Sequence, residues 1–481
     1  MVKLLIFLAG SKYKVNTDLL QIQNSDGYSV VFMIEISMEE AVQLCREGEK
    51  LLPEEKKAIV NERLKMLVSY AKKNSAYFRK LYSDIDEDNF SLEDLPPVTK
   101  SELMKCYEDW VTDPDITYDG VTEYVNTPIE TRGPYLGKYS ALMTSGTSGN
   151  PMPMVRDSYH NIIHGTLIQT RFLKNVDEHI LDPKYNKLAT IIFTDPSVSS
   201  YSSFLKAKAL NPDYSDNMLA ISLQEGSESI IKKLNDFQPD LLTAYPSTIG
   251  PLISAAEEGR LSIHLKAIGF SAEVLSPETR CRAEAAFNCP VLNNYCSTEG
   301  GEAAMACKLG NLHINDDWVI IEPIDKDGNP VKDGEWSEGI YVTDLTNYVQ
   351  PVIRYYMNDS VKITRTCGCG MNLPIMEING RVLEEIQVEG KRLSGLVILH
   401  SLHEVKDLYT YQVAHVSEGC FELRAEFANG ADKEKILNDF SRELNEYLLN
   451  NGCREVTVKL SPEPPRHNAR GGKIKEFVKE F

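Results

Sequence analysis

Thr144-Ser145-Gly146-Thr147-Ser148-Gly149-Asn150-Pro151 puts four hydroxyls and two glycines into eight residues with no large apolar side chain. The apolar runs Tyr139–Met143 and Met152–Val155 flank it, which reads as strand, loop, strand. Glycines allow backbone N–H groups to turn inward and hydroxyls add donors, so such a loop can wrap an anionic polyphosphate. An ordinary Ser/Gly hairpin tip has the same composition. The Walker A pattern G-x-x-x-x-G-K-[ST] occurs nowhere in the chain. What the rest of the chain supplies therefore decides the loop's role. At the far end, Pro462–Phe481 is Pro/Gly-punctuated and basic in an acidic chain, a composition suited to meeting an anion.

Placing a loop of this kind takes a scaffold, and the chain after it alternates. Asp157–Phe172 reads as helix, Leu188–Phe193 as strand, Ser227–Phe237 as helix, and Asp240–Tyr245 as strand. Ile249–Glu258 is then helical, Leu265–Phe270 extended, Pro277–Phe287 helical and Val291–Tyr295 extended. Strands separated by helices of this length imply crossover units and a mainly parallel sheet, whose ligands collect at the carboxyl ends of the strands. Tyr245-Pro246-Ser247, Ser271-Ala272-Glu273 and Tyr295-Cys296-Ser297-Thr298-Glu299 fall along that rim.

Before the loop, Ser37–Tyr82 has helical periodicity, with Leu64, Met66, Leu67, Tyr70, Phe78 and Leu81 on the inner side and Ser37 as N-cap. Residues 1–36 lack that pattern and are expected to be a peripheral extension. Met33 or Met38 is a candidate initiator, so removal of residues 1–32 should leave fold and activity intact. Leu4–Gly10 is short for a signal-peptide core, follows a single positive charge and lacks a small-x-small cleavage site. Alternation in Trp318–Glu322 and Gly339–Leu345, joined by a turn at Asp325–Asn329, suggests an antiparallel β subdomain within 312–364. Beyond Gly380-Arg381, Leu396–Val405 and Lys433–Asn450 read as helices. Tyr409–Val416, Phe421–Phe427 and Glu455–Leu460 read as strands of a compact α+β domain.

With 481 residues the chain exceeds a single core. Its composition, 42% hydrophobic and 25% charged, is that of a soluble globular protein. A formal charge of −19 argues against nucleic acid and against an anionic membrane surface. No apolar run reaches the ~18 residues of a membrane span. Ten cysteines are too sparse for a disulfide scaffold in a chain of this length. A cytoplasmic protein is expected.

Taken together these stretches resemble the adenylate-forming superfamily of acyl-CoA synthetases, luciferases and peptide-synthetase adenylation domains, and most of all its phenylacetate–CoA ligase-like branch. The resemblance covers roughly residues 55–475. It implies an α/β fold with a large N-terminal domain (37–380) of mainly parallel sheets plus a β subdomain, a hinge at 381–384, and a small mobile α+β C-terminal domain (385–481).

The resemblance also implies roles. Thr144, Ser145, Gly146, Thr147, Ser148 and Gly149 match the family's phosphate loop, with Asn150 where a lysine is common. Tyr295-Cys296-Ser297-Thr298-Glu299 matches Y-G-x-T-E, with Cys296 in place of glycine. That assigns adenine stacking to Tyr295, an α-phosphate contact to Thr298 and a Mg²⁺ ligand to Glu299. Ser271, Ala272 and Glu273 would line the other adenine face. Asp359, in a P-x-I-R-Y-x-x-x-D-like segment, would accept from both ribose hydroxyls. Arg381 would sit near ribose or phosphates, and Glu384 falls at the hinge residue. Pro465–Lys473 resembles the segment carrying the family's catalytic lysine, here Lys473, with Lys475 as the alternative. A mobile cation there would bridge the attacking carboxylate and the α-phosphate as charge develops. Tyr245, Ser247 and Asp195–Phe204 are expected near the acid.

Cys307, His313, Cys367 and Cys369 fall where that branch often carries Cys and His. Three thiolates and an imidazole complete a tetrahedral Zn²⁺ shell with no position left for water, a structural site stapling the β subdomain to the sheet. Cys45, Cys106, Cys281, Cys289, Cys420 and Cys453 read as core or surface residues, and His160, His164 and His415 as parts of ordinary amphipathic patterns. The expected function is ATP-dependent activation of a carboxylic acid to an acyl-adenylate, followed by transfer to CoA, in a monomer or homodimer. Transfer to a carrier-protein thiol or an amine, and a degenerate non-catalytic binding protein, are the alternatives.

Overall fold

The computed structural model describes residues 36–128, 132–144, 152–381 and 386–481, apart from 175, 178, 193, 195–198, 223–224, 272, 390, 394–398, 400–401, 403–404, 406–407, 429, 451, 467–473 and 475. Residues 1–35 of the expected extension lie outside the description, and the described residues enter a helix where the N-cap pattern places it. Ser37 Oγ accepts from the Glu40 backbone at 3.2 Å, and the Glu40 carboxylate accepts from Ser37 N at 2.9 Å, opening the helix Met38–Gly48. Pro53–Asn74 and Ala76–Leu81 follow, burying Leu64, Leu67 and Phe78 in a core shared with Trp110 and the hairpin below.

Ser140–Met143 and Pro153–Arg156 form the expected antiparallel pair around the Ser/Gly loop, in a register that sets Met143 opposite Pro153. Among the described residues the second strand gains no further strand neighbour. Instead the buried Gln350 accepts from Val155 N at 2.7 Å and donates to Pro153 O at 3.1 Å, and Asn347 donates to Val155 O at 3.1 Å. Two side-chain amides thus satisfy an edge that burial would otherwise leave unpaired.

One sheet of nine strands dominates. From edge to edge it runs Asp359–Thr364, Ile375–Arg381, Leu312–Ile314, Gly301–Ala306, Val291–Ser297, Ala267–Phe270, Leu241–Ala244, Leu188–Ile192 and Met218–Ser222. The last five are mutually parallel, and the four before them are antiparallel to their neighbours. The helices Ser227–Phe237 and Pro277–Phe287 occupy the ranges their periodicity indicates. Met218–Ser222 and the helix Ser199–Leu210 were not legible, because a short apolar run such as Met-Leu-Ala-Ile-Ser carries no diagnostic period.

The β subdomain expected over 312–364 is divided. Val319–Ile324, Gly339–Asp344 and Val352–Met357 form a separate three-stranded antiparallel sheet, whereas Leu312–Ile314 and Asp359–Thr364 belong to the large one. In the C-terminal part, Leu408–Ser417 and Cys420–Phe427 pair antiparallel, flanked by Thr457–Leu460 and the unexpected Phe477–Lys479. The helix Lys433–Asn450 buries Ile436, Phe440, Leu444 and Leu448, one residue per turn, against them. The expected helix Leu396–Val405 and the hinge after Arg381, with Glu384, fall largely or wholly outside the described residues. Among the described residues no helix is long and apolar enough to cross a membrane.

Candidate functional site

The three expected rim segments converge where the parallel strands end. Tyr245 caps the helix Pro246–Glu257 at the end of its strand, and its hydroxyl lies 3.5 Å from Ser200 Oγ. Burial raises its pKa, with the nearby Glu273 and Cys296 adding to the shift and Ser200 opposing it. Ser271 directly follows Ala267–Phe270, and Ala272 lies outside the described residues.

Thr298 and Glu299 occupy the tip of a tight hairpin. Ser297 pairs with Gly301, Cys296 with Glu302 and Tyr295 with Ala304, with an irregularity between the last two pairs. Ser297 Oγ accepts from Gly300 N at 2.8 Å, and Gly301 takes a positive φ of 62° that closes the turn. Arg156, at the end of the second hairpin strand, donates to Thr298 O at 2.7 Å and so joins the hairpin of the Ser/Gly loop to this tip. Burial lowers the Arg156 pKa, against the stabilising charges of Asp344, Glu302, Cys296 and Glu299. Glu302 is half-buried; desolvation of its carboxyl raises its pKa, and it accepts from Asn294 at 2.6 Å.

Tyr295 and Asp359 meet. The Tyr295 hydroxyl donates to Asp359 Oδ2 at 2.6 Å across 64 positions of sequence. Asp359 stands opposite Arg381 in the strand register. Thr144 lies at the hairpin's loop end, its hydroxyl accepting from Met152 N at 2.8 Å. Ser145, Gly146, Thr147, Ser148, Gly149 and Asn150 lie outside the described residues, as do Lys473 and Lys475.

Cys307, His313, Cys367 and Cys369 come together with all ligand atoms within 4.8 Å of one another. Cys307 and Cys367 Sγ are 3.9 Å apart, near the ~3.8 Å edge of a tetrahedron with Zn–S bonds of about 2.3 Å. Cys369 Sγ lies 3.3 Å from His313 Nε2, while His313 Nδ1 is 2.8 Å from Leu373 O and donates to it. That outer contact leaves the Nε2 lone pair facing the thiols, the tautomer a metal requires. Leu309 N and Asn311 Nδ2 each donate to a cysteine sulfur at 3.4 Å. Burial raises Cys369 to about 11, whereas donors from Asn311 and the Cys369 backbone outweigh burial at Cys367 and lower its pKa. The four residues fit a zinc ion. Their location differs from expectation: His313 lies on the strand Leu312–Ile314, Cys307 in the turn that follows Gly301–Ala306, and Cys367 and Cys369 in the loop between Asp359–Thr364 and Ile375–Arg381, all within the large sheet, so a metal would clamp that sheet to itself.

Two histidines assigned no role prove to be linked to the tip. His160 and His164 stand four apart on the helix Ser158–Leu167, with ring centroids 4.1 Å apart and Asp344 beside them. These three could also hold a metal ion, but Thr346 Oγ1 sits among them, 2.9 Å from His160 Nδ1, 3.1 Å from His164 Nε2 and 2.6 Å from Asp344 Oδ1. The i, i+4 spacing just after the phosphate loop was the available signal. For Arg156 there was none. His415 stacks on Phe421 at 4.2 Å in the C-terminal core.

No protein-family model matches the sequence. The chain is 25% identical over 402 residues to Protein CapK of Staphylococcus aureus, covering 80% of this chain and 81% of that one. It is 24% identical over 469 residues to the phenylacetate-coenzyme A ligase of Thermus thermophilus, covering 89% of this chain and 97% of the relative. Among solved structures, a 2-hydroxyisobutyryl-CoA ligase in its postadenylation state with R3-HIB-AMP shares the fold, with a TM-score of 0.63, 18% identity, and coverage of 90% and 91% of the two chains.

Proposed function

We infer that this chain, which belongs to the adenylate-forming superfamily on its phenylacetate–CoA ligase-like branch, is an ATP-dependent ligase joining a small carboxylic acid to CoA. The observation that carries this reading is the meeting of Tyr295 with Asp359 beside the tip bearing Thr298 and Glu299, a base, ribose and phosphate-metal constellation on one sheet rim.

In the first half-reaction the acid's carboxylate oxygen attacks the α-phosphorus of ATP. An acyl-adenylate anhydride forms and pyrophosphate leaves. Tyr295 stacks on adenine, with Ser271, Ala272 and Glu273 on its other face. Asp359 accepts from the ribose hydroxyls, Arg381 lies near ribose or phosphate, and Thr298 contacts the α-phosphate. Thr144–Gly149 grips the β- and γ-phosphates through backbone and hydroxyl donors, which Asn150 makes more important by removing the usual cation. Glu299 is the residue that would hold Mg²⁺, whose charge offsets that of the phosphates. Lys473 bridges the carboxylate and the α-phosphate as charge develops. The small domain, 385–481, then turns about 381–384 so that the CoA thiolate can attack the acyl carbon and release AMP.

Cys307, His313, Cys367 and Cys369 hold a structural Zn²⁺ on this reading, and the protein works in the cytoplasm as a monomer or homodimer. ATP–pyrophosphate exchange across a panel of carboxylic acids tests the activation step, and CoA, carrier-protein thiols and amines tested as acceptors then identify the second. Lys473→Ala should abolish exchange and leave thiol transfer from preformed acyl-adenylate largely intact. Wild-type pyrophosphate release by that variant would remove Lys473 from its role.

A further inference from the structure

The tip carrying Thr298 and Glu299 is held from behind by a chain of hydrogen bonds whose directions can all be assigned. Glu302 N donates to His164 Nδ1 at 2.8 Å, so Nδ1 is the acceptor and the imidazole proton resides on Nε2. From Nε2 that proton reaches Thr346 Oγ1 at 3.1 Å. Thr346 donates in turn to Asp344 Oδ1 at 2.6 Å, and the same carboxylate oxygen accepts from Thr346 N at 2.9 Å. Asp344 is fully buried, and its pKa lies well below the usual carboxylate range, because His160 and His164 together outweigh the effect of burial. The terminus of the relay is therefore a fixed anion.

The imidazole also fills the space beneath the turn. A Cβ at Gly301 would stand 2.2 Å from His164 Cε1, so ring and glycine occupy one another's room. Arg156 fixes the opposite side of the tip through Thr298 O. The Thr298–Glu302 backbone is thus gripped at both ends, by the half-buried Arg156 and the buried His164, from the segment that follows the Ser/Gly loop.

We propose that His164 is a positioning residue for nucleotide activation: held in its Nε2–H tautomer by Thr346 and Asp344, it sets the Thr298–Glu299 tip at the geometry needed to receive Mg²⁺·ATP. This rests on the reading of Glu299 as the metal-facing carboxylate. It couples the helix Ser158–Leu167 to the metal end of the nucleotide.

The test compares His164→Asn with His164→Gln. An asparagine amide oxygen can take the place of Nδ1, whereas a glutamine amide reaches the position of Nε2 and leaves Glu302 N without its acceptor. Each variant is titrated with ATP, with and without Mg²⁺, by calorimetry, and assayed for pyrophosphate exchange and for thiol transfer from preformed acyl-adenylate. His164→Asn should bind Mg²⁺·ATP within about threefold of wild type. His164→Gln should raise both the dissociation constant and the exchange KM for Mg²⁺·ATP at least tenfold, with thiol transfer nearly unchanged. Equal behaviour of the two variants, or equal loss in both half-reactions, would overturn the proposal. A wild-type protein that binds Mg²⁺·ATP yet exchanges pyrophosphate with no acid would sink the ligase reading instead, and the calorimetric comparison would still decide the role of His164.

Discussion

The Tyr295 hydroxyl donates to Asp359 Oδ2 at 2.6 Å, linking the strand that enters the hairpin tip to the far edge of the same sheet. On the proposed reading, the ring and the carboxylate so held form the corner that receives the nucleoside. Asp359→Ala removes an acceptor for two ribose hydroxyls and, at about 1.5–3 kcal/mol for a charge-assisted bond, should raise the ATP KM by tenfold or more. Tyr295→Phe keeps the ring and loses one bond, so the rise should be nearer fivefold, for about 1 kcal/mol. Exchange kinetics at varied ATP measure both, and a larger effect for Tyr295→Phe would reverse the assigned roles.

The thiol–imidazole cluster should carry one zinc per chain, measurable by elemental analysis of the purified protein. Cys369→Ser should lower the zinc content well below one equivalent and reduce the unfolding midpoint, because metal binding free energy is folding free energy at such a site. The clamped strands include Gly301–Ala306, which leads directly out of the hairpin tip, so weaker Mg²⁺·ATP binding should accompany the loss of metal. A metal-free protein of unchanged stability would show that the four residues serve as ordinary core.

Truncation separates the N-terminal segment from the fold. Removal of residues 1–32 should leave stability and activity unchanged. Removal of 1–37 takes Ser37, whose hydroxyl and backbone both engage Glu40, and should cost about 1 kcal/mol in chemical denaturation. Taking the helix Met38–Gly48 as well should be severe. Arg171 donates to Cys45 O at 2.8 Å while gripping Asp317 with two bonds of 2.8 and 2.7 Å, and Gly48 packs directly over that carboxylate.

Acid should weaken the protein partly through His160. Burial, aided by the adjacent His164 and opposed by Asp344, pushes the His160 pKa from 6.5 down to about 3. A depressed folded-state value means that the unfolded chain takes up a proton the folded one refuses. The contribution is present above about pH 6.5 and is lost as pH falls toward 3. At ~1.4 kcal/mol per unit, roughly 2 kcal/mol should go between pH 7 and 5. Denaturation midpoints at those two pH values should fall more for wild type than for His160→Asn; parallel slopes would exclude this source.

Local chemistry was legible wherever it repeats along the chain. Helices such as Ser227–Phe237, Pro277–Phe287 and Lys433–Asn450 declare themselves through apolar spacing and caps, because a helix satisfies its own backbone and exposes one face. The strand–helix alternation likewise implied a parallel sheet with its rim at Tyr245, Ser271 and Tyr295. The Cys/His quartet could be named because it falls where the resembled branch often carries those residue types.

Pairings between distant residues could not be read this way. His164 meets Glu302 across 138 positions, Arg171 meets Asp317 across 146, and Gln350 finishes the edge of Pro153–Arg156 across nearly 200. Such partners are chosen by the close approach of whole elements, and neither periodicity nor composition of either segment records the other. The sequence by itself determined most of the regular elements and, through the resemblance, the side chains proposed for the chemistry. Only the tertiary structure decided that the Cys/His quartet gathers within the large sheet and that the seemingly ordinary His164 accepts from the backbone beside the hairpin tip, because a buried hydrogen bond has direction and distance only once both of its ends are in place.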